Sequence, residues 1–314
     1  MVDNKQSWKA WLYLSPALIL TLVFTVWPIF NTVRMSLLEG YNGMAALGGT
    51  PYNFGIGNFI KVLTYPKFLT CLGNTMLLCV LTVPLSTIVA LLIAVALNSI
   101  KPLQKTLQTI FFLPYVTNSI AIGMVFSSMF NIIGTNLGSS NEIITTAGII
   151  NNFLGIFGVE PINWVNANSS YFANIAVMVI YIVWDALPFK ILVLLGGLQG
   201  INKQYYDAAK IDATPKWRVF TRITVPLLSP MITYVVITAF IGGFKEYSSI
   251  VSIFGDDMGP AGDGGRLNTM VGMIYDSLAQ KQDGLASAAA IILFVIIFIV
   301  TMINMKITKK NTHY

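Results

Sequence analysis

The chain has 314 residues, of which 55% are hydrophobic and only 10% are charged, and its formal net charge is +6. About one-quarter of the residues in a soluble globular domain are charged, so this composition excludes that class. Uncharged apolar runs of about 20 residues cross a bilayer as helices, because a helix satisfies its own backbone polar groups. We therefore expect an all-α, polytopic membrane protein, with basic residues that report orientation rather than nucleic-acid binding.

Six long apolar runs predict about six transmembrane helices. The first follows Lys5 and Lys9, is too long for a cleaved signal peptide and lacks a small-residue cleavage site beyond it. The predicted spans cover residues 11–30, 71–97, 109–133, 172–197, 227–254 and 285–305. They divide the chain into an N-terminal segment (1–10), a membrane domain (11–308) and a C-terminal tail (309–314).

The distribution of basic residues predicts the orientation. The N-terminal segment, the turn with Lys101 and Lys105, the segment 198–226 and the C-terminal end are basic. The loop 134–171 has no Lys or Arg, and the loop 255–283 is net acidic. Because basic loops stay in the cytoplasm, both termini and the segment 198–226 are expected on the cytoplasmic side of the cell membrane.

No residue pattern indicates a metal or a cofactor site. Cys71 and Cys79 lie in one apolar run, which favours buried small side chains over a disulfide or a metal pair. His313 is the single histidine and lies in the polar tail. The chain has no GxxxxGK[ST] phosphate loop, no HExxH motif and no nucleophile elbow, so we expect it not to be an enzyme.

The segment 198–226 is predicted to form two short helices. Asn202 is a candidate N-cap of the first, Thr214-Pro215 is a candidate start of the second, and Val225-Pro226 is expected to end it. The adjacent Ala208 and Ala209 allow close approach of another surface. The segment also carries five large side chains that need a covering partner: Tyr205, Tyr206, Ile211, Trp217 and Phe220. A docking helix is favoured, and a solvated connector with a basic interfacial helix is the alternative.

The residues YYDAAKIDATPKWRVFTRITVPLLSP resemble the EAA loop of the permease subunits of binding-protein-dependent ABC importers. The nearest likeness is the sugar branch, of the maltose and glycerol-phosphate type. The stretches TVPLSTIVALLIAVALN, FFLPYVTNSIAIGMVFSSMFN with GIINNFLG, VWDALPFKILVLLGGLQGI and GGFKEYSSIVSIF resemble other parts of that family. The resemblance implies the type I ABC importer permease fold and a carbohydrate substrate.

The resemblance assigns ATPase coupling to eight residues: Tyr206, Asp207, Ala208, Ala209, Lys210, Asp212, Ala213 and Pro226. Two of them depart from the family pattern. Asp207 stands where the family has glutamate, and Ala213 stands where it has glycine. A left-handed alanine costs on the order of 1 kcal/mol, so either the turn at Ala213 is not left-handed or the chain tolerates the strain.

The resemblance also implies the partners. They are a second homologous permease subunit, two ABC ATPase subunits and an extracellular solute-binding protein. ATP and magnesium would be used by the ATPase subunits, and this chain would bind no cofactor itself. It would form half of the translocation pathway and contact membrane lipid.

The resemblance further implies a substrate path on the fourth and fifth spans. Its candidate residues are Ile182, Trp184, Asp185, Ala186, Phe189, Ala239, Gly242, Gly243 and Glu246. Charged residues inside spans usually face a cavity or a partner, which singles out Asp185 and Glu246. The two acids favour a neutral, hydroxyl-rich solute, and aromatic side chains from Tyr181, Trp184, Phe189 or Tyr247 are candidates to stack on a sugar face.

Each of these interpretations has an alternative. The alanines and glycines are equally explained by close helix packing, and the two acids by a buried pair with another helix. Lys190 is expected to extend toward the cytoplasmic interface, and Pro188 to open its helix locally. For the whole chain the alternatives are an ABC permease for an amino acid, phosphate or glycerol phosphate, a secondary transporter, an intramembrane enzyme using Asp185 and Glu246, and a channel or scaffold.

Overall fold

The computed structural model describes residues 7–43, 52–100, 104–136 and 143–309. Lys5, Lys101, His313 and the tail residues 310–314 lie outside the described residues. Cys71 and Cys79 are both buried, as their apolar surroundings in the sequence predict.

The N-terminal part is helical. Its helices are α1 (Ser7–Thr21), α2 (Trp27–Ser36), α3 (Gly57–Leu63) and α4 (Phe68–Ser99). A π-helical turn, Leu22–Val26, joins α1 to α2, so that Trp8–Ser36 is one continuous candidate span. The turn lies just before Pro28. Because a proline lacks the N–H group and its ring collides with the preceding turn, the wider π-helical turn lets the helix pass it.

The remaining elements follow the predicted runs with three differences. They are α5 (Gln104–Val116), α6 (Ser119–Phe130), β1 (Ile132–Asn136), β2 (Ile143–Ala147), α7 (Ile149–Gly155), α8 (Tyr171–Gln199), α9 (Lys203–Ile211), α10 (Lys216–Val219), α11 (Val225–Gly243), α12 (Ser248–Phe254), α13 (Met270–Ala279) and α14 (Asp283–Lys309). The predicted loop 134–171 contains a small antiparallel hairpin, β1 with β2, and helix α7. The predicted fifth span stops at Gly243, and α12 is separate.

The third difference is a sharp bend in the predicted third span. Helices α5 and α6 meet at 97° across the break at residues 117–118. Asn118 makes this break stable, because its side-chain oxygen accepts hydrogen bonds from the N–H groups of Ile120 (2.9 Å) and Ala121 (3.4 Å) at the start of α6. By contrast, α8 continues without interruption through Pro188, so the expected local opening of that helix was wrong.

The chain divides into two compact units. The first comprises the described residues of Met1–Phe68 with Met273–Val295, and the second comprises those of Leu69–Gly272 with Ile296–Tyr314. Two apolar clusters form the core of the second unit. One lies around Tyr181, Met178 and Ile250, and the other joins α4, α8 and α11 around Ala90 and Leu194.

Contacts inside the first unit join the residues after α2 to the turn before α14. The N–H of Gly284 donates to the carbonyl of Tyr41 (3.0 Å), and the N–H of Gly43 donates to the Asp283 carboxylate (2.6 Å). The described residues after α2 and the turn before α14 therefore lie together. Among the described residues, five helices are long and apolar enough to cross a membrane, and the number is six if the bent α5–α6 pair counts as one span.

Candidate functional site

A pocket opens where the break between α5 and α6 faces α8. Its volume is about 420 Å³. Its lining consists of Pro114, Tyr115, Thr117, Ser119, Asp185, Ala186 and Phe189. The last three are candidate path residues from the sequence, and the structure brings them together on one face of α8. We call this space the α8 pocket.

The α8 pocket combines an aromatic wall with hydroxyl groups and a carboxylate. The rings of Tyr115 and Phe189 are nearly parallel, with their planes 21° apart and their centroids 6.3 Å apart. Thr117 and Ser119 add side-chain oxygens, and Asp185 adds an acidic group. None of the described lining residues is basic. Such a wall suits an uncharged ligand that has both apolar faces and hydroxyl groups.

The other aromatic candidates lie behind this wall. Tyr181 is fully buried, and its hydroxyl donates to the carbonyl oxygen of Ser119 (2.8 Å). The Trp184 ring lies 5.0 Å from the Phe126 ring, measured between centroids. Ile182 belongs to the same buried cluster, and Tyr247 packs against it. These side chains pack between α8 and its neighbours. Of the four aromatic residues that the sequence singles out, Phe189 lines the α8 pocket.

Glu246 lies in the break between α11 and α12. Its side chain accepts a hydrogen bond from the N–H of Ser249 (3.2 Å) near the start of α12. Of the two acids that the sequence singles out, Asp185 lines the α8 pocket and Glu246 does not.

The small residues of α11 have different surroundings. A side chain at Gly242 would meet open space, whereas a Cβ at Gly243 would lie 3.0 Å from the sulfur of Cys79 on α4. Ala239 is partly buried, one turn before Gly243. Close helix packing accounts for Gly243.

Lys190 does not extend to the interface, so that expectation was wrong. Its side chain is only 4% exposed, and its ammonium group donates to the hydroxyls of Ser86 and Thr87 and to the carbonyl of Val83, all on α4. The Ser86 and Thr87 hydroxyls accept hydrogen bonds from the ammonium group inside the membrane-spanning part, so the side chain does not need to reach the membrane surface. Lys190 therefore fastens α8 to α4.

Helix α9 begins as the sequence predicts. The side chain of Asn202 accepts a hydrogen bond from the N–H of Gln204 (3.0 Å), which caps the first turn. At the other end, the N–H of Thr214 donates to the carbonyl of Ala209 (2.9 Å) and that of Ala213 to Lys210 (3.1 Å). This pair of bonds is a Schellman motif, and it places Ala213 at φ +51°. The turn is left-handed, and the chain bears the strain of alanine there.

The second half of the segment differs from the prediction. Pro215, not Thr214, is the N-cap residue of α10, because Thr214 is used in the Schellman motif. The helix also does not end at Val225-Pro226. A second π-helical turn, Phe220–Thr224, carries it past Pro226 into α11. A similar π-helical turn, Leu22–Val26, precedes Pro28 in the first span.

The surface of this segment, residues 202–223, is exposed and contains a second pocket. Ile211 is 86% exposed and Trp217 is 73% exposed, and Tyr205 is also exposed. The pocket has a volume of about 390 Å³, and Ala208 and Asp212 are among its lining residues. Ala208 faces outward, whereas Ala209 is buried. We call this exposed face the α9 surface.

Two side-chain contacts organise the α9 surface. Asp207 and Lys210 form an exposed ion pair (3.1 Å), which holds one carboxylate along the helix. The hydroxyl of Tyr206 lies 3.3 Å from that of Thr224, which joins α9 to the π-helical turn. Seven of the eight candidate coupling residues thus lie within α9 or directly after it, and Pro226 is separated from them by α10 and the π-helical turn.

Comparison with known proteins identifies the family. Residues 83–312 match the profile of the binding-protein-dependent transport system inner membrane component family. The chain belongs to this family. The matched region contains the α8 pocket and the α9 surface, so both are features of a transport permease.

The permease has similar relatives along most of its length. It is 31% identical over 256 residues to the lactose transport system permease protein LacF of Rhizobium radiobacter, covering 81% of this chain and 78% of the relative. It is 29% identical over 300 residues to the arabinooligosaccharides transport system permease protein AraP of Bacillus subtilis, covering 95% and 88%. A crystal structure of a bacterial ABC transporter involved in alginate import contains a chain of the same fold, with a TM-score of 0.78, 19% identity and coverage of 99% and 98%.

Sequence reasoning missed the part of the α8 pocket that comes from α5 and α6. Tyr115, Thr117 and Ser119 line it, but the apolar run around them predicts an ordinary span. The sequence signal that marks them is local: Pro114 closely followed by the Asn118-Ser119 pair, which is a helix break followed by an N-cap.

Proposed function

We propose that this permease forms half of the membrane pathway of an ATP-driven importer for carbohydrates. It would lie in the cell membrane with both termini in the cytoplasm and pair with a second, homologous permease subunit. An extracellular solute-binding protein would deliver the sugar. The observation that carries the proposal is the α8 pocket, with an aromatic wall beside hydroxyls and one carboxylate.

The chemistry of the pocket supports a sugar as the solute. A pyranose ring has an apolar face that stacks on an aromatic ring such as Phe189, and its hydroxyls donate to a carboxylate such as Asp185. The names of several relatives point to the same class, since LacF and AraP are described as lactose and arabinooligosaccharide permeases. The absence of a basic side chain among the described lining residues favours a neutral sugar over an acidic one.

The α9 surface is the proposed contact for one of two ATPase subunits, and the partner permease would bind the other. Docking would cover the exposed Ile211, Trp217 and Tyr205, and Ala208 would permit close approach. From Lys216 the segment continues as an unbroken helix through the π-helical turn into α11. A rigid connection of this kind would carry the motion of the ATPase subunits to the pathway, while ATP and magnesium stay in those subunits.

A competition series tests the substrate class. Cells that express the complete transporter are given one radiolabelled neutral oligosaccharide, and unlabelled neutral oligosaccharides, uronates, glycerol phosphate and amino acids compete for uptake. Neutral oligosaccharides are expected to compete, and Phe189→Ala is expected to lower uptake by about tenfold, since one aromatic contact contributes about 0.5–1.5 kcal/mol beyond its buried area. Leu192→Ala, on an exposed face of α8, is the matched control.

The alternatives predict other outcomes. Preferential competition by glycerol phosphate or an amino acid would assign the permease to an importer for that solute. Uptake that persists after the ATPase subunits are inactivated would point instead to a stand-alone transporter. Either result would overturn the proposal for an ATP-driven sugar importer.

A further inference from the structure

A third pocket lies in the first unit, whereas the α8 pocket lies in the second. It has a volume of about 530 Å³, and its lining comes from residues 40–42 and 58–66, between α2 and α4, and from residues 280–285, around the turn between α13 and α14. These segments adjoin the ends of three candidate spans, at Ser36, Phe68 and Asp283. The pocket therefore lies at one surface of the membrane. We call it the interface pocket.

The walls of the interface pocket are held by buried hydrogen bonds. Asn58 is only 2% exposed, and its side-chain amide donates to the carbonyls of Ser36 (3.0 Å) and Leu38 (2.8 Å). This amide therefore ties the start of α3 to the end of α2 at one wall of the pocket. The contact between Gly284 and Tyr41 holds the opposite wall.

One lining residue has a strained backbone. Lys281 has φ +61°, in the left-handed region that glycine normally occupies. The N–H groups of Lys281 and Gln282 donate to the carbonyls of Leu278 and Ser277, both at 2.9 Å, so a Schellman motif fixes this conformation. A lysine costs on the order of 1 kcal/mol more than glycine at this position. The turn thus keeps a charged side chain at the pocket where glycine would be easier to accommodate.

The lining is basic and its charges are unpaired. Lys61 and Lys281 both line the pocket, and no carboxylate does so among the described residues. Within the part of the chain that the structure describes, neither ammonium group forms a hydrogen bond or an ion pair. Tyr41 and Tyr65 add hydroxyl groups to the same lining. Two free ammonium groups around one cavity attract an anion.

The residues around the pocket indicate how deep in the membrane a bound anion would lie. Beside the pocket, α3 exposes Ile60 and Leu63, and the adjoining residues Phe54 and Ile56 are exposed as well. An exposed apolar face next to lysines and tyrosines is the pattern of a helix in the membrane interface. A soluble acidic partner would explain the two lysines but not the apolar face.

We propose that the interface pocket binds the phosphate group of an anionic phospholipid. Lys61 and Lys281 bind the phosphate, Tyr41 and Tyr65 donate hydrogen bonds to the headgroup, and the acyl chains lie along the exposed face of α3. The site shares no lining residue with the α8 pocket and does not depend on the identity of the transported sugar.

Native mass spectrometry of the full-length chain, purified with its accompanying subunits, tests the proposal. The complex is titrated with dioleoyl phosphatidylglycerol, and in parallel with dioleoyl phosphatidylcholine. The wild type is expected to bind phosphatidylglycerol more tightly. The double variant Lys61→Gln/Lys281→Gln is expected to lose roughly tenfold or more in that affinity, since each lysine contributes about a factor of five at an anionic surface.

Three variants serve as controls. Lys67→Gln removes a neighbouring lysine that does not line the pocket, and it is expected to bind phosphatidylglycerol like the wild type. Lys61→Arg/Lys281→Arg retains the charges and is expected to retain binding. If the double glutamine variant does not fold, Lys61→Gln alone is measured, with an expected loss of about fivefold.

Three outcomes would overturn the proposal. One is equal affinity of the wild type and the folded double glutamine variant for phosphatidylglycerol. Another is effective competition by inorganic phosphate, which would assign the pocket to a free anion. The third is loss of a copurifying soluble protein from the double variant with unchanged lipid binding, which would assign it to a protein partner.

Discussion

The ammonium group of Lys190 on α8 lies 3.2 Å from the hydroxyl oxygen of Thr87 on α4, inside the membrane-spanning part of the protein. No carboxylate lies within ion-pair distance of Lys190 among the described residues. A buried cation is thus balanced by neutral oxygens alone. This makes α4 a specific partner of α8, at the residue that directly follows Phe189 of the α8 pocket.

This arrangement predicts an asymmetric response to mutation. Ser86→Ala/Thr87→Val leaves the buried cation with fewer acceptors and is expected to lower the free energy of unfolding by about 2–3 kcal/mol. Lys190→Met is expected to be far milder, because the two hydroxyls already donate to carbonyls of their own helix, at Thr82 and Val83. Denaturant titration of the purified protein measures both changes.

The triple variant completes the cycle. Adding Lys190→Met to Ser86→Ala/Thr87→Val removes the unsatisfied charge, so most of the lost stability should return. Losses that simply add would contradict the account of Lys190 as a cation held by α4.

Replacing alanine by glycine is expected to have opposite effects at Ala213 and at Ala208, and this is the second prediction. Ala213→Gly relieves a left-handed alanine and is expected to stabilise the end of α9 by about 0.5–1 kcal/mol. Ala208→Gly lies inside α9 and is expected to destabilise it by about 1 kcal/mol. Hydrogen exchange of the α9 amides should slow in the first variant and quicken in the second. The same direction of change in both variants would contradict the strained turn.

Gly123 gives a third prediction, about the packing that forms the α8 pocket. A Cβ on Gly123 would collide with the Ser252 side chain and lie 3.3 Å from its backbone carbonyl carbon, so α6 and α12 would have to separate. Gly123→Ala is expected to cost about 1–3 kcal/mol. Gly73→Ala, where the added methyl meets open space, is the matched control and should not destabilise the protein. Thermal unfolding in detergent distinguishes the two variants.

The sequence predicts the helices of this protein well because their main determinant is composition. A run such as 71–97 has no charge, and a lipid environment leaves it few conformations other than a helix. The Asn202 cap was also predicted, since its hydrogen bond to Gln204 depends on two residues that are close in sequence.

The features that were missed depend on competition between local signals or on distant partners. Pro226 predicts a helix end, but a π-helical turn accommodates it. Thr214 is a good N-cap in isolation, but the Schellman motif already uses its backbone N–H. Lys190 stays inside the membrane because Ser86 and Thr87, about a hundred residues earlier, supply acceptors that its own helix does not reveal.

The central claim is that the α9 surface docks an ATPase subunit, and copurification tests it most directly. The tagged chain is cross-linked in membranes, solubilised, and its partners are identified by mass spectrometry. Ala208→Trp fills the exposed pocket, whereas Ala261→Trp adds the same bulk at an exposed position outside the α9 surface. The account predicts that wild type and Ala261→Trp recover an ATPase and a second permease, and that Ala208→Trp recovers the permease without the ATPase. Equal recovery of the ATPase with Ala208→Trp would contradict it.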